Sequence, residues 1–442
     1  MNEFIDGFFV MMNEWNMVIA VIVVLLLSLI AAYANIRVAE IGSGLHITRE
    51  KFLHYVVKIV TVIILLLVVL VFWHSVQSDN EKPESIRARG DQYFKLGQFE
   101  DALREYRKAA DLEPDRAVNY DKQALALAGL GLYEDALNAS IQAVTKEPNV
   151  PQYRYHKGNA LRNLGRDDHD KEEALAEYRE AAKLDPYNAE YHHTLGVMLD
   201  SMEGDEKALA QYQEEALEAY QMAVKLEPEN DEYCYDLGKK LDSMERYEEA
   251  LEAYQRASDL APDKAEYYYD LGRMQDSMGH YLKALEAYQR ASNLDSNNAS
   301  YHHRFGAALE RMEHYPDALP EYQEAVKLEP DNALYHDSLG TAMMRLEGYV
   351  EYYTGNYREK ALEEYREAVR LDSDIAAYHH HLGTALERME HYLEALAEYQ
   401  EAVSLEPDNG DFHYSLGEVL FRVGREEDAW EELQQSNKLK SK

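Results

Sequence analysis

Residues 231–264 read DEYCYDLGKKLDSMERYEEALEAYQRASDLAPDK, and residues 265–298 read AEYYYDLGRMQDSMGHYLKALEAYQRASNLDSNN. Laid over one another, the glycines (Gly238, Gly272), the alanines that open a second helical pattern (Ala250, Ala284) and the tyrosines beyond them (Tyr254, Tyr288) fall into register. A fixed period of this length marks a stacked repeat architecture, so the self-similarity decides the fold. Carried outward, the register gives ten units, starting at 83, 117, 151, 189, 231, 265, 299, 333, 376 and 410. Six of the first nine keep a 34-residue period; the third, fourth and eighth carry four, eight and nine extra residues.

The chemistry of the repeated positions explains the pattern. A glycine in the first helix lets the second approach closely, and an alanine and a tyrosine four apart share one helix face. Prolines such as Pro114, Pro148, Pro186, Pro228, Pro262, Pro330 and Pro407 follow the second helix, which they cannot continue. One hairpin cannot bury its apolar face alone, whereas stacked neighbours share a core. The second unit departs from the rule, with Ala124 for the glycine and Ser140 for the tyrosine. In the fourth, KALAQYQE (207–214) is echoed by EALEAYQM (215–222), a duplication of slightly over two helical turns that predicts a lengthened second helix.

These co-registered positions resemble the tetratricopeptide repeat over residues 83–442. The resemblance implies an all-α fold, a right-handed superhelix of about ten helical hairpins that binds proteins. It also implies a concave groove lined from the first helices by Tyr155, His193, Tyr235, Tyr269, His303, His380 and Tyr414. Lys239, Asp242, Arg273, Asp276 and Glu310 lie alongside on the same face. An alternative contact is the tyrosine-rich insertion of the eighth unit, with Tyr349, Tyr352, Tyr353 and Tyr357. The Lys/Asn clamp by which some family members hold a terminal carboxylate is not recognisable.

Ahead of the repeats, residues 1–16 form an N-terminal tail. Apolar runs at 17–34 and 56–73 each match the bilayer core in length as helices. They predict a transmembrane hairpin over 17–74, joined by a linker at 75–82 to the repeat region. Arg37, Arg49 and Lys51 lie in the connection between the runs. The positive-inside rule therefore predicts a two-pass integral membrane protein with its repeats on the extracytoplasmic side.

The formal charge is −37, and residues beyond 82 hold 40 basic and 75 acidic side chains. Such a surface repels phosphate backbones, so no nucleic-acid partner is expected. The single cysteine, Cys234, excludes an intramolecular disulfide framework. No phosphate loop, nucleophile–base set or paired catalytic carboxylate stands out, so no enzymatic activity and no cofactor are expected.

Histidines cluster at 192–193, 302–303 and 379–381, and His302, His336, His379 and His413 share one register. That register is where the family carries a packed aromatic, so no metal site is assigned. The expected function is a scaffold that holds a protein partner or the subunits of a membrane complex. The alternatives are self-assembly into an array, with a homo-oligomer contact at the C-terminal end around Trp430, Leu433 and Leu439, and a metal-linked role through the histidines.

Overall fold

A computed structural model describes residues 82–349 and 356–441, together with seven isolated residues between 54 and 65. Between Pro83 and Lys440, twenty helices alternate as first and second members of ten hairpins. They fall into two compact units, one ending at Pro148 and one running from Asn149 to Lys442. The first contains hairpins one (Pro83–Lys95, Phe99–Leu112) and two (Ala117–Gly129, Tyr133–Lys146). The second contains hairpins three to ten, from Pro151 to Lys440. Within each unit, the two helices of a hairpin pack together and the second helix then packs on the first helix of the next hairpin.

The close approach expected at the glycines is what the hairpins show. A Cβ built on Gly90, Gly158, Gly196, Gly238, Gly272, Gly306, Gly340 or Gly383 would lie 2.5–3.1 Å from the tyrosine ring of its own second helix. Those rings are buried, and each buried aromatic side chain contributes on the order of 2–3 kcal/mol. Hairpin two solves the same contact with a smaller pair. Ala124 and Ser140 are both buried, and the Ser140 hydroxyl donates to the Ala136 carbonyl at 2.9 Å. In hairpin ten, Leu433 takes the tyrosine's place over Gly417.

The turn inside most hairpins places one residue in the left-handed region. Gly97, Gly131, Gly279 and Gly424 fill it in hairpins one, two, six and ten, whereas Glu245, Glu313 and Glu390 adopt φ of 58–64° in hairpins five, seven and nine. The duplicated segment of hairpin four is a single helix, Glu206–Leu226, started by Asp205 accepting from the Ala208 amide at 2.8 Å. In hairpin eight the extra residues lengthen the first helix to Tyr349, and the second begins at Tyr357.

One sequence expectation is corrected here. Among the described residues, no helix is long and apolar enough to cross a membrane. The longest, Glu206–Leu226, interleaves Glu, Lys and Gln with its apolar side chains, which suits a half-buried helix and not a lipid-facing one. The two-pass membrane localisation, the extracytoplasmic placement and the lipid contact are therefore set aside. The apolar run 17–34 and most of 56–73 lie outside the described residues.

Candidate functional site

In hairpins three to seven and nine, the first helix presents one aromatic or imidazole ring toward the following hairpin, whereas hairpin eight has Asp337 at that position. Tyr155 meets Tyr191 at 5.0 Å between ring centroids, His193 meets Tyr233 at 4.6 Å and Tyr235 meets Tyr267 at 4.4 Å. Tyr269 meets Tyr301 at 5.0 Å, His303 meets Tyr335 at 4.8 Å and His380 meets Phe412 at 4.9 Å. The polar tips cross the same boundary. Tyr155 donates to Glu190 at 2.8 Å, and the Tyr235 hydroxyl lies 2.7 Å from Glu266 and 2.6 Å from Asp270. His193 bonds Asp236 at 2.8 Å, His303 bonds Ser338 at 3.0 Å and His380 bonds Ser415 at 2.9 Å. Ser300 donates to the Tyr269 hydroxyl at 3.3 Å.

These rings therefore join neighbouring hairpins as well as lining a face. Tyr235 is 5% exposed and His303 is 9% exposed, so both also act as core. Burial, reinforced by Asp270 and Glu266, pushes the Tyr235 phenol well above its usual range. Burial pushes His303 and His380 down to about 4. Tyr414, in hairpin ten, is 49% exposed, with the Lys440 ammonium 5.2 Å from its ring.

The charges in these columns are paired, three pairs crossing a hairpin boundary and two lying within one helix. Arg273 bonds Asp242 and Asp270, Arg311 bonds Asp276, and Arg345 bonds Glu310 at 2.9 Å. Lys239 bonds Asp236 at 2.8 Å and lies 4.7 Å from the centre of the Tyr235 ring.

This pairing has a consequence for the buried tyrosines beneath. In most hairpins the second-helix tyrosine bonds a first-helix side chain one or four residues after the glycine. Tyr178 donates to Asn159, Tyr220 to Asp200, Tyr322 to Glu310 and Tyr399 to Glu387, at 2.8–3.0 Å. In hairpins five and six those positions hold Lys239 and Arg273, which have no acceptor, and Asp242 and Asp276, which are held by the next hairpin's arginine. The hydroxyl of Tyr288 is buried there without a hydrogen-bond partner, and that of Tyr254 is buried with only the Arg273 guanidinium beside it and no well-formed hydrogen bond.

The shared histidine register serves the turns. His302, His336, His379 and His413 each direct Nε2 to the carbonyl of Ser296, Pro330, Ser373 or Pro407 at 2.9–3.1 Å. Nδ1 meets Glu321, Glu364, Glu398 or Glu432 at 2.5–2.7 Å. Both ring nitrogens are thus engaged within the protein. Replacing His336 with phenylalanine should lower stability by about 1–2 kcal/mol, because a carbonyl and a carboxylate lose their partner. Chemical denaturation of the variant measures it. Among the described residues, the three side chains close enough to share a cation are Asp167, His169 and Asp170, none of them in this register. Asp167 there caps a helix and Asp170 pairs with Arg166 at 3.0 Å.

Of the alternative tyrosine-rich contact, Tyr352 and Tyr353 lie outside the described residues, and Tyr349 ends the first helix of hairpin eight. Tyr357 opens the second helix and packs against the core. At the C-terminal end, Leu433 packs within its hairpin, while Trp430 is 59% exposed and meets Phe421 edge-on at 5.6 Å. Ser436 donates to the Gly410 carbonyl at 2.7 Å and Lys440 bonds Asp411 at 2.6 Å, so the last turn folds back on the first helix.

The paired helices and their repeated glycine–tyrosine contact define an all-α solenoid of helical hairpins. Several of its units match models of the tetratricopeptide repeat. Family models described as "Tetratricopeptide repeat" match residues 83–116, 122–189 and 265–298, and one described as "TPR repeat" matches 243–275 and 391–424. The chain is similar to the small glutamine-rich tetratricopeptide repeat-containing protein 2 of Mycosarcoma maydis, at 28% identity over 110 residues, 25% of this chain and 30% of that protein. It is also similar to the Hsp70-Hsp90 organizing protein of Triticum aestivum, at 31% identity over 105 residues, 24% of this chain and 17% of that protein. The matched stretches span less than a third of either relative. A solved structure described as YrrB, a TPR protein with an unusual peptide-binding site, aligns at 23% identity and a TM-score of 0.38, covering 43% of this chain and 94% of that one.

Proposed function

We propose that this protein is a scaffold that binds a protein partner along the first-helix face of hairpins five and six. The observation that supports this reading is the adjacent pair of buried, unpartnered hydroxyls, Tyr254 and Tyr288. A buried hydroxyl without a bond costs about 1–3 kcal/mol, so two in neighbouring repeats form a local deficit that a ligand can repair. A partner that draws Arg273 and Arg311 away frees Asp242 and Asp276 as acceptors for these hydroxyls, and Tyr235, Tyr269 and Lys239 supply contact area and cation–π capacity. The wheat relative's name, which speaks of organizing other proteins, accords with the scaffold reading.

The test separates binding from stability. In the free protein, changing Tyr254 and Tyr288 to phenylalanine removes buried groups with no well-formed hydrogen bond, so melting should be unchanged or slightly higher. Partners recovered by crosslinking and identified by mass spectrometry are then titrated by calorimetry. The double variant should bind at least tenfold more weakly, since two lost hydrogen bonds are worth about 2 kcal/mol. Equal affinity for both forms would remove the reading.

A further inference from the structure

Hairpins three to ten meet at seven boundaries, and at six of them the first helices make the same joint. The ring-column side chain of one hairpin bonds the residue that follows that column in the next. Tyr155 lies 3.4 Å from Thr194, His193 2.8 Å from Asp236 and Tyr235 2.6 Å from Asp270. Further along, His303 bonds Ser338 at 3.0 Å, Asp337 bonds His381 at 2.7 Å and His380 bonds Ser415 at 2.9 Å. Between hairpins six and seven the corresponding pair is Tyr269 and Arg304, and no hydrogen bond joins them. The Tyr269 hydroxyl is met only by Ser300, at 3.3 Å.

Gln275 marks the same place inside the fold. Three residues after the glycine, the other seven of these hairpins carry leucine or methionine, among them Leu241, Leu309 and Met343. Hairpin six carries an amide there. Gln275 is 5% exposed, and its side-chain oxygen is buried without a hydrogen-bond partner. Such an oxygen loses its hydration and gains no bond in exchange, so the native packing is weakened at this point.

The apolar core divides at the same hairpin. One cluster runs from Ala189 to Ala287 and takes in Tyr267, Leu271 and Met274 of the first helix of hairpin six. A second takes in Ala284 and Tyr288 of its second helix and continues through Phe305 and Leu309 to Ala429. The first helix of hairpin six reaches that second cluster through the half-buried Tyr269. In hairpins seven, eight and nine, by contrast, both helices contribute to one cluster. Leucine at 275 would carry the apolar core across; glutamine interrupts it.

We infer that the first helices of hairpins six and seven, Ala265–Ser277 and Ala299–Arg311, form a built-in seam at which the stack hinges open on its first-helix face. The second helix of hairpin six is the pivot, since its Ala287 packs in one cluster and its Tyr288 in the other. In a stacked array each boundary contributes its own term, so the boundary with a missing joint, an unmet amide and a divided core parts first. Opening brings the Gln275 oxygen to water. It gives up the Tyr269–Tyr301 ring contact and the ion pair of Arg311 with Asp276, which is worth little because Arg311 is already half exposed. The hinge is a property of the free chain and holds whether or not hairpins five and six take a partner.

Spin-label distance measurements on the full chain test it. Labels at Gln255→Cys and Arg366→Cys span the seam from hairpin five to hairpin eight. Labels at Gln323→Cys and Gln434→Cys span the same number of hairpins, from seven to ten, without crossing it. All four sites are exposed, and the native Cys234 is buried. The distance distribution across the seam should be about twice as broad as the other, as a hinge between two rigid blocks requires. Gln275→Leu with Arg304→Ser, which restores the core residue and the joint found at other boundaries, should narrow it to the width of the reference pair. Equal widths in the parent chain overturn the seam. A broad distribution that survives in a folded double variant overturns its assignment to Gln275 and Arg304. If the double variant folds poorly, the comparison of the two pairs in the parent chain decides alone.

Discussion

Acidification from about pH 7.5 to about pH 4.5 should destabilise this protein by several kcal/mol, and much of that loss should vanish when His303 and His380 are both changed to phenylalanine. Burial is the cause. Both rings sit between a tyrosine of their own hairpin and an aromatic ring of the next, His303 between Tyr322 and Tyr335, His380 between Tyr399 and Phe412. Each is held neutral, its proton affinity pushed down to about 4. The charges facing them are Arg304 for His303, and His381 and Asp411 for His380; Asp411 alone opposes the shift.

The sign follows from proton counting. An unfolded histidine titrates near 6.5, so between about pH 6.5 and about pH 4 the unfolded chain binds protons that the folded chain does not. Stability from the neutral rings is fully present above that window and declines as the pH falls through it. Each ring accounts for at most about 2–3 kcal/mol at pH 4.5. Phenylalanine keeps the stacking and cannot titrate. Denaturant titrations of both chains at half-unit pH steps should show the parent chain losing stability relative to the variant as the pH falls. Parallel curves from pH 7.5 to pH 4.5 would show that the two rings are hydrated in solution.

How far the sequence foretells the structure depends on whether a feature repeats. The hairpins, the glycine under a tyrosine and the longer helix of hairpin four were legible because each leaves a periodic or duplicated trace. The positions Tyr155, His193, Tyr235, Tyr269, His303 and His380 were legible as a column, yet not as a joint between hairpins. Their partners Asp236, Ser338 and Ser415 share a column with Arg304 and His381, so chemical identity there varies and masks the common geometry. The unmet hydroxyls of Tyr254 and Tyr288 are invisible in sequence, because they arise when a neighbouring arginine removes an acceptor. Gln275 did leave a signal: an amide in a column of leucine and methionine. It is masked because the register rests on glycine, alanine and tyrosine, all of which hairpin six keeps. The membrane reading came from apolar runs outside the repeats, where no periodic check was present.

The glycine beneath the tyrosine yields the second large effect. Changing Gly272 to valine should cost about 2–3 kcal/mol locally and broaden or split the thermal transition. A Cβ there would lie 2.8 Å from Tyr288 Cδ1, and the ring is buried among its neighbours, so the hairpin must open to admit it. Hairpin six lies within the run of eight from Pro151 to Lys440. In a stacked array, stability is close to a sum of unit and nearest-neighbour terms, and a lesion in the interior weakens coupling on both sides. The same change at a terminal hairpin would only fray an end. Hairpin two suggests the control, since Ala124 and Ser140 hold these two repeat positions there. Gly272→Ala alone should be destabilising, and Tyr288→Ser alone more so through the cavity it leaves. Together they should cost about 1–2 kcal/mol less than the sum, because the serine makes room for the methyl group. Strict additivity in calorimetric melts would mean that the tyrosine ring does not press on the glycine, and the close contact would lose its place as the source of the repeat's spacing.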